Sequence, residues 1–184
     1  MTRSPNLQNH IEEITMASFD KYAPKLRKWE GNKFVDDPDD YGGATNKGVT
    51  LDTFRMVYGA DKTVDDLRNM TEDQWRGVMK GYFWDKCKGD MINNQSVAEI
   101  FVDWCINAGI DKIKRVQAMV GTKADGVVGP KTVFAINAAA QESLHGKIKL
   151  ARAKRYVTQI ENKASQMKYF NGWFSRIIDF NYEK

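Results

Sequence analysis

The chain has 184 residues, 42% of them hydrophobic and 11% aromatic, and 28 basic against 24 acidic side chains give it a net charge of +4. At this size folding buries roughly 70% of the unfolded chain's surface, enough for one compact domain or two small, closely packed ones. The composition excludes a disordered chain, and no apolar run approaches the roughly 20 residues a bilayer crossing needs. Mild basicity suits an anionic polymer such as nucleic acid, a phospholipid surface or cell wall, although scattered surface lysines would give the same balance. Cys87 and Cys105 are the only cysteines, and His10 and His145 lie far from them in sequence. Free, partly buried thiols are expected, with no metal site and no cofactor.

Residues 1–15 are polar and read as a flexible N-terminal extension. From Ser18, apolar residues at Phe19, Tyr22, Leu26 and Trp29 mark one face of a helix that Gly31 would stop, with Pro24 as a complication inside it. Residues 32–50 lack a helical period and hold Pro38, Gly42, Gly43 and Gly48. This segment predicts a small β-hairpin or wound loop with Phe34-Val35 and Val49-Thr50 as strand fragments.

Helices then return. Thr50 heads one bearing Leu51, Phe54 and Val57 that ends at Gly59. Capping boxes are expected at Thr63/Asp66, at Thr71/Gln74 and at Ser96/Glu99. The second leads a helix with Trp75, Val78, Met79 and Tyr82 on its apolar face, and the third a helix carrying Val97 to Ala108 and stopping at Gly109. Ile110 to Val120 continues as a separate helix, and Pro130 begins another after a glycine-rich loop. Leu144 to Met167 reads as one long final helix, followed by an aromatic tail at Trp173-Phe174 that folds back on the core. The fold class is mostly α with one small β feature.

Within this scaffold Glu30 stands at a helix end beside a loop rich in carboxylates and glycines. Cleaving a glycosidic bond needs a protonated acid at the leaving oxygen and a second group on the opposite face. A carboxyl at a helix C-terminus feels the negative end of the dipole, and a neighbour such as Trp29 would desolvate it; both effects raise its pKa. Glu30, Asp39 and Thr45 have the spacing E-x8-D-x5-T, with Asp40 adjacent. An aspartate and a threonine hydroxyl together can hold a water molecule for attack. Gly42 and Gly43 would let a sugar approach the backbone closely. Acids clustered in a turn are ordinarily solvated turn residues, so spacing alone does not decide the matter.

Trp-Glu-Gly at 29–31, followed by Asp37-Pro38-Asp39-Asp40-Tyr41-Gly42-Gly43-Ala44-Thr45-Asn46-Lys47-Gly48-Val49-Thr50, resembles the signature of glycoside hydrolase family 108, bacterial and phage N-acetylmuramidases. The resemblance implies a lysozyme-like helical fold with a small β-hairpin or loop carrying part of the active site. It puts Glu30 at the catalytic glutamate. By similarity to the phage lysozyme triad, it puts Asp39 and Thr45 at the partner positions. The family reads Glu-Gly-Gly-Tyr where this chain has Glu30-Gly31-Asn32-Lys33-Phe34, one residue longer, so the choice between Asp39 and Asp40 stays open. The second half, through Asn107-Ala108-Gly109, Val116-Gln117 and Asp125 to Thr132, resembles the predicted peptidoglycan-binding domain that follows such catalytic domains.

The implied organisation is a catalytic domain over 16–104 and a helical peptidoglycan-binding-like domain over 105–184 packed on the first. The implied activity is hydrolysis of the β-1,4 bond between N-acetylmuramic acid and N-acetylglucosamine by an endolysin-like, bacteriolytic monomer. Tyr41, Gly42, Gly43, Asn46, Tyr82, Trp84 and Asn107 are the candidate substrate contacts, the aromatics because ring faces stack on pyranoses. With no secretory signal apparent, synthesis in the cytoplasm is expected, followed by action on the wall or in the periplasm after release or dedicated export. A non-catalytic peptidoglycan-binding or secretion-assisting protein is the alternative from another class. A lytic transglycosylase is a variant of the enzyme reading. A nucleic-acid binder using a helix-turn-helix among residues 96–136 is disfavoured, because the basic residues there do not cluster on one helix face.

Overall fold

The computed structural model describes residues 16–36 and 43–184; the expected extension over 1–15 and the acidic centre of the loop lie outside the described residues. The elements run α1 (Phe19–Glu30), β1 (Phe34–Val35), β2 (Thr45–Asn46), β3 (Val49–Thr50), α2 (Leu51–Tyr58), α3 (Val64–Arg68) and α4 (Glu72–Arg76). A π-helical segment (Gly77–Trp84) and a 3-10 turn (Gly89–Met91) precede α5 (Gln95–Ala108), α6 (Lys112–Met119), α7 (Pro130–Ala138) and α8 (Gln141–Asn162). A second 3-10 turn (Ala164–Tyr169) leads into α9 (Phe170–Asp179).

Local signals account for most helix ends. Ser18 caps α1 by accepting from the Asp20 amide, and Gly31, with φ +63, closes it. Thr50 caps α2, and the boxes at Thr63/Asp66 and Thr71/Gln74 are both formed. The third expected box is not: Asn94 caps α5 by accepting from the Val97 amide, while the Ser96 hydroxyl accepts from the Glu183 amide and ties down the C-terminus.

The strands form one antiparallel sheet in the order β1-β2-β3, one strand more than expected, with Phe34 opposite Asn46 and Asn46 opposite Val49. A two-residue loop joins β2 to β3. Its central residues, Lys47 and Gly48, have φ of +50 and +77, as a type I′ turn demands.

After α4 the buried residues are Val78, Met79, Phe83 and Trp84, five apart rather than three or four. That is the repeat of a π-helix, and it turns Tyr82 outward from the face an α-helix would have given it. The final helix is also not continuous. α8 ends at Asn162, a 3-10 turn intervenes, and α9 runs back along α8, with Trp173 stacked on Tyr156 at 4.8 Å.

α5 is the axis of the molecule. Every residue from Ser96 to Cys105 is buried, and it packs against α8, α6 and the π-helical segment. A helix apolar on nearly all sides belongs at a core centre. The hydrophobic cluster around it runs without a break from Phe19 and Leu26 of α1 to Ile148 of α8. Cys87 and Cys105 are both fully buried free thiols with sulfurs 3.7 Å apart, and burial pushes the Cys87 thiol well above its ordinary value.

Candidate active site

Glu30 is the last residue of α1, and its side chain is only 10% exposed. Two neighbours enclose it. On the sheet side is the β2–β3 turn: the Gly48 backbone lies so close that a Cβ there would fall on the Glu30 carboxylate. From α9, Arg176 donates through Nη2 to Glu30 Oε1 at 2.6 Å. The end of α1 is further pinned to α9 by Asp179, which accepts from the Trp29 indole at 2.7 Å and from Lys28.

Arg176 is itself held from behind. Asp103, fully buried in the middle of α5, accepts from Arg176 Nη2 at 2.6 Å and Nε at 3.0 Å, from Arg152 Nη2 at 2.6 Å and from the Tyr22 hydroxyl at 2.8 Å. With Glu30 ionised the cluster has two carboxylates and two guanidiniums, and both Asp103 oxygens are saturated. Burial alone would raise the Asp103 carboxyl, but Arg176 and Arg152, with hydrogen bonds from Arg176 and Tyr22, outweigh it and hold its pKa near 2.

Glu30 responds the other way. Burial raises its pKa most, Arg176 opposes through charge and hydrogen bond, Asp103 raises it again, and the net shift is upward. A carboxyl shifted in this direction keeps its proton to higher pH than a solvated glutamate, as a general acid requires.

The other sequence-derived candidates divide. Asp39, Asp40, Tyr41 and Gly42 lie outside the described residues. Gly43 is exposed, with φ +64 and open space where a Cβ would be, and Thr45 is half-buried with its hydroxyl 3.3 Å from the Gly43 carbonyl. Asn46 requires a correction. It is 3% exposed and donates to the Leu67 and Arg68 carbonyls, so it ties the hairpin to α3 and cannot reach a substrate.

Trp84 requires one too. It is fully buried, stacked on Tyr22 at 5.9 Å, with its indole donating to Asp90 and the Gly89 backbone against its ring, so it offers no face to a sugar. Tyr82 is half-buried; its ring is covered by the Lys86 ammonium at 3.8 Å and its hydroxyl meets the Met56 sulfur. Asn107 accepts from the Tyr156 hydroxyl at 2.6 Å and joins α5 to α8.

Sequence reasoning missed Asp103, Arg152 and Arg176. The available signal was a charge inside an apolar run: Asp103 lies in Phe101-Val102-Asp103-Trp104 and Arg176 directly precedes Ile177-Ile178. Charges so placed are buried only when paired.

Residues 23–109 match the family model for glycosyl hydrolase 108, and residues 111–178 match that of a predicted peptidoglycan domain. Residues 23–109 are thus similar to glycosyl hydrolase 108 domains. The solved structure of SagA from Brucella abortus is similar at 28% identity, covering 88% of this chain and 90% of that one with a TM-score of 0.76. No curated protein matches the chain. The pairing of the two domains marks a peptidoglycan hydrolase.

The glycosyl hydrolase match contains Glu30, Gly48, Asp103 and Tyr22, whereas Arg152 and Arg176 fall in the peptidoglycan match. The carboxyl of the first domain is therefore oriented by an arginine of the second. Gly48→Ala tests the packing on the other side of Glu30. Its left-handed backbone alone should cost about 1–2 kcal/mol, and the added methyl must displace the carboxylate, so melting temperature and hydrolysis of purified walls should fall together.

Proposed function

We propose that the chain is an N-acetylmuramidase that hydrolyses the β-1,4 bond between N-acetylmuramic acid and N-acetylglucosamine. The observation that carries this reading is Glu30: a buried carboxyl with a raised pKa, within the glycosyl hydrolase match, clamped between Gly48 and Arg176. Glu30 protonates the leaving oxygen. Asp39 or Asp40, helped by Thr45, activates or positions water on the opposite face of the sugar. Residues 16–104 supply this chemistry and residues 105–184 engage peptidoglycan. The enzyme acts as a monomer on the wall, reached by release or dedicated export, in an endolysin-like and bacteriolytic role. Among the described residues no helix is long and apolar enough to cross a membrane.

Arg176 positions Glu30 and also restrains its pKa, and that dual role has a definite sign. Removing the guanidinium removes an influence that lowers the Glu30 pKa. In Arg176→Gln the acid stays protonated to higher pH, so the alkaline limb of the kcat/KM profile should move up. The rate at its optimum should fall as the carboxyl loses its fixed orientation. An alkaline limb that stays in place or moves down would show that Glu30 is not the acid.

A further inference from the structure

Away from Glu30, α6 and α8 enclose a cavity of about 500 Å³, with Trp104 of α5 contributing to its wall. Its charge is one-sided. Lys112 and Arg115, three apart on α6, and Lys154 and Arg155 on α8 line it, against the single carboxylate of Asp111. Asp111 is taken by the Lys112 ammonium at 2.6 Å, and Arg155 bonds only the neutral Gln159 amide oxygen at 2.8 Å. Among the described residues, Arg115, Lys154 and Arg155 have no carboxylate within ion-pair distance.

Trp104 adds a second observation. It is 4% exposed, and its indole N–H has no hydrogen-bond partner among the described residues. A buried donor left unmade is costly, and the indole nitrogen can only donate. Met119 and Ala151 add apolar wall, and Thr158 a hydroxyl.

We infer that this cavity is a subsite for the carboxylate-bearing stem peptide of peptidoglycan. The inference rests on the peptidoglycan-directed reading of the chain but not on its catalysis. The ligand must present several carboxylates and small apolar groups at once. Where its lactyl groups are amide-linked to stems, an N-acetylated glycan backbone carries no charge to meet three unpaired cations, whereas a stem peptide alternates methyl groups with carboxylates. Guanidiniums take carboxylates in a two-pronged fork, and Trp104, Met119 and Ala151 receive the methyls.

The test uses isotopically labelled full-length Glu30→Gln protein, so that hydrolysis cannot confuse binding. The Trp104 indole N–H resonance, assigned by its loss in Trp104→Phe, is followed during titration with the tripeptide L-Ala-γ-D-Glu-diaminopimelate. It should move saturably. The fully amidated tripeptide should bind about tenfold or more weakly, as should the tripeptide to an Arg115→Gln, Lys154→Gln double variant.

No saturable shift, equal affinity for the amidated peptide, or an equal response to inorganic phosphate would each overturn the subsite. The two readings fail separately. Wall hydrolysis by the unsubstituted protein without the peptide shift defeats only the subsite, and the shift without hydrolysis defeats only the muramidase.

Discussion

Glu30→Gln is expected to abolish release of reducing ends from purified peptidoglycan while leaving the protein folded. A positioned general acid contributes about 10²–10⁴-fold, or roughly 3–5 kcal/mol of barrier. Glutamine keeps the shape of glutamate and an oxygen for Arg176 Nη2, but it has no proton to give the leaving oxygen. Stability should change little, because Arg176 remains paired with Asp103 through two hydrogen bonds. The check is a joint one, wall-digestion rate against the denaturation midpoint. A variant that keeps more than a tenth of the activity would remove Glu30 from the acid's role.

The largest effect on stability is expected at Asp103. Asp103→Ala would leave Arg152, whose side chain has no exposed surface, and the nearly buried Arg176 close together without their shared counter-charge. Breaking a buried ion pair from one side costs about 3–5 kcal/mol, which urea denaturation would read directly. A loss below about 1 kcal/mol would mean that the cluster behaves like a solvated surface pair.

The same residue sets an acid limit. The Asp103 carboxyl titrates near 2 in the folded chain against 3.8 in the unfolded one, so between those values the unfolded chain binds more protons. Its contribution, about 2 kcal/mol, is complete above pH 3.8 and is lost as pH falls toward 2. Asp103→Asn should flatten the stability profile across that window.

Most helix ends and the position of Glu30 were legible in the sequence because they depend on neighbours in the chain. Ser18, Thr50, Thr63 and Thr71 cap by reaching two or three residues ahead, and Gly31, Gly59 and Gly109 stop helices through their own φ. Features that depend on distant packing were not legible. The π-helical register from Gly77 to Trp84 follows from how Phe83 and Trp84 pack in the core, and an α-period reading sends Tyr82 inward instead. The inward direction of Asn46 is fixed by the Leu67 and Arg68 carbonyls some twenty residues away. The clamp on Glu30 comes from Arg176, 146 residues later in the chain.

That last contact changes how the two domain matches are understood. Tyr22 and Asp103 from the first half and Arg152 and Arg176 from the second meet in one buried cluster, and Glu30 is its outermost member. Residues of the peptidoglycan match are thus structurally part of the cluster that holds Glu30.

In the proposed reaction water cleaves the muramic acid–glucosamine bond with Glu30 as the proton donor. Digestion of purified peptidoglycan in ¹⁸O-labelled water, with mass spectrometry of the released muropeptides, tests it most directly. Reducing-end N-acetylmuramic acid carrying one ¹⁸O is expected, with no such product from Glu30→Gln. Products ending in a 1,6-anhydro ring, reducing-end N-acetylglucosamine, or no soluble products at all would contradict it.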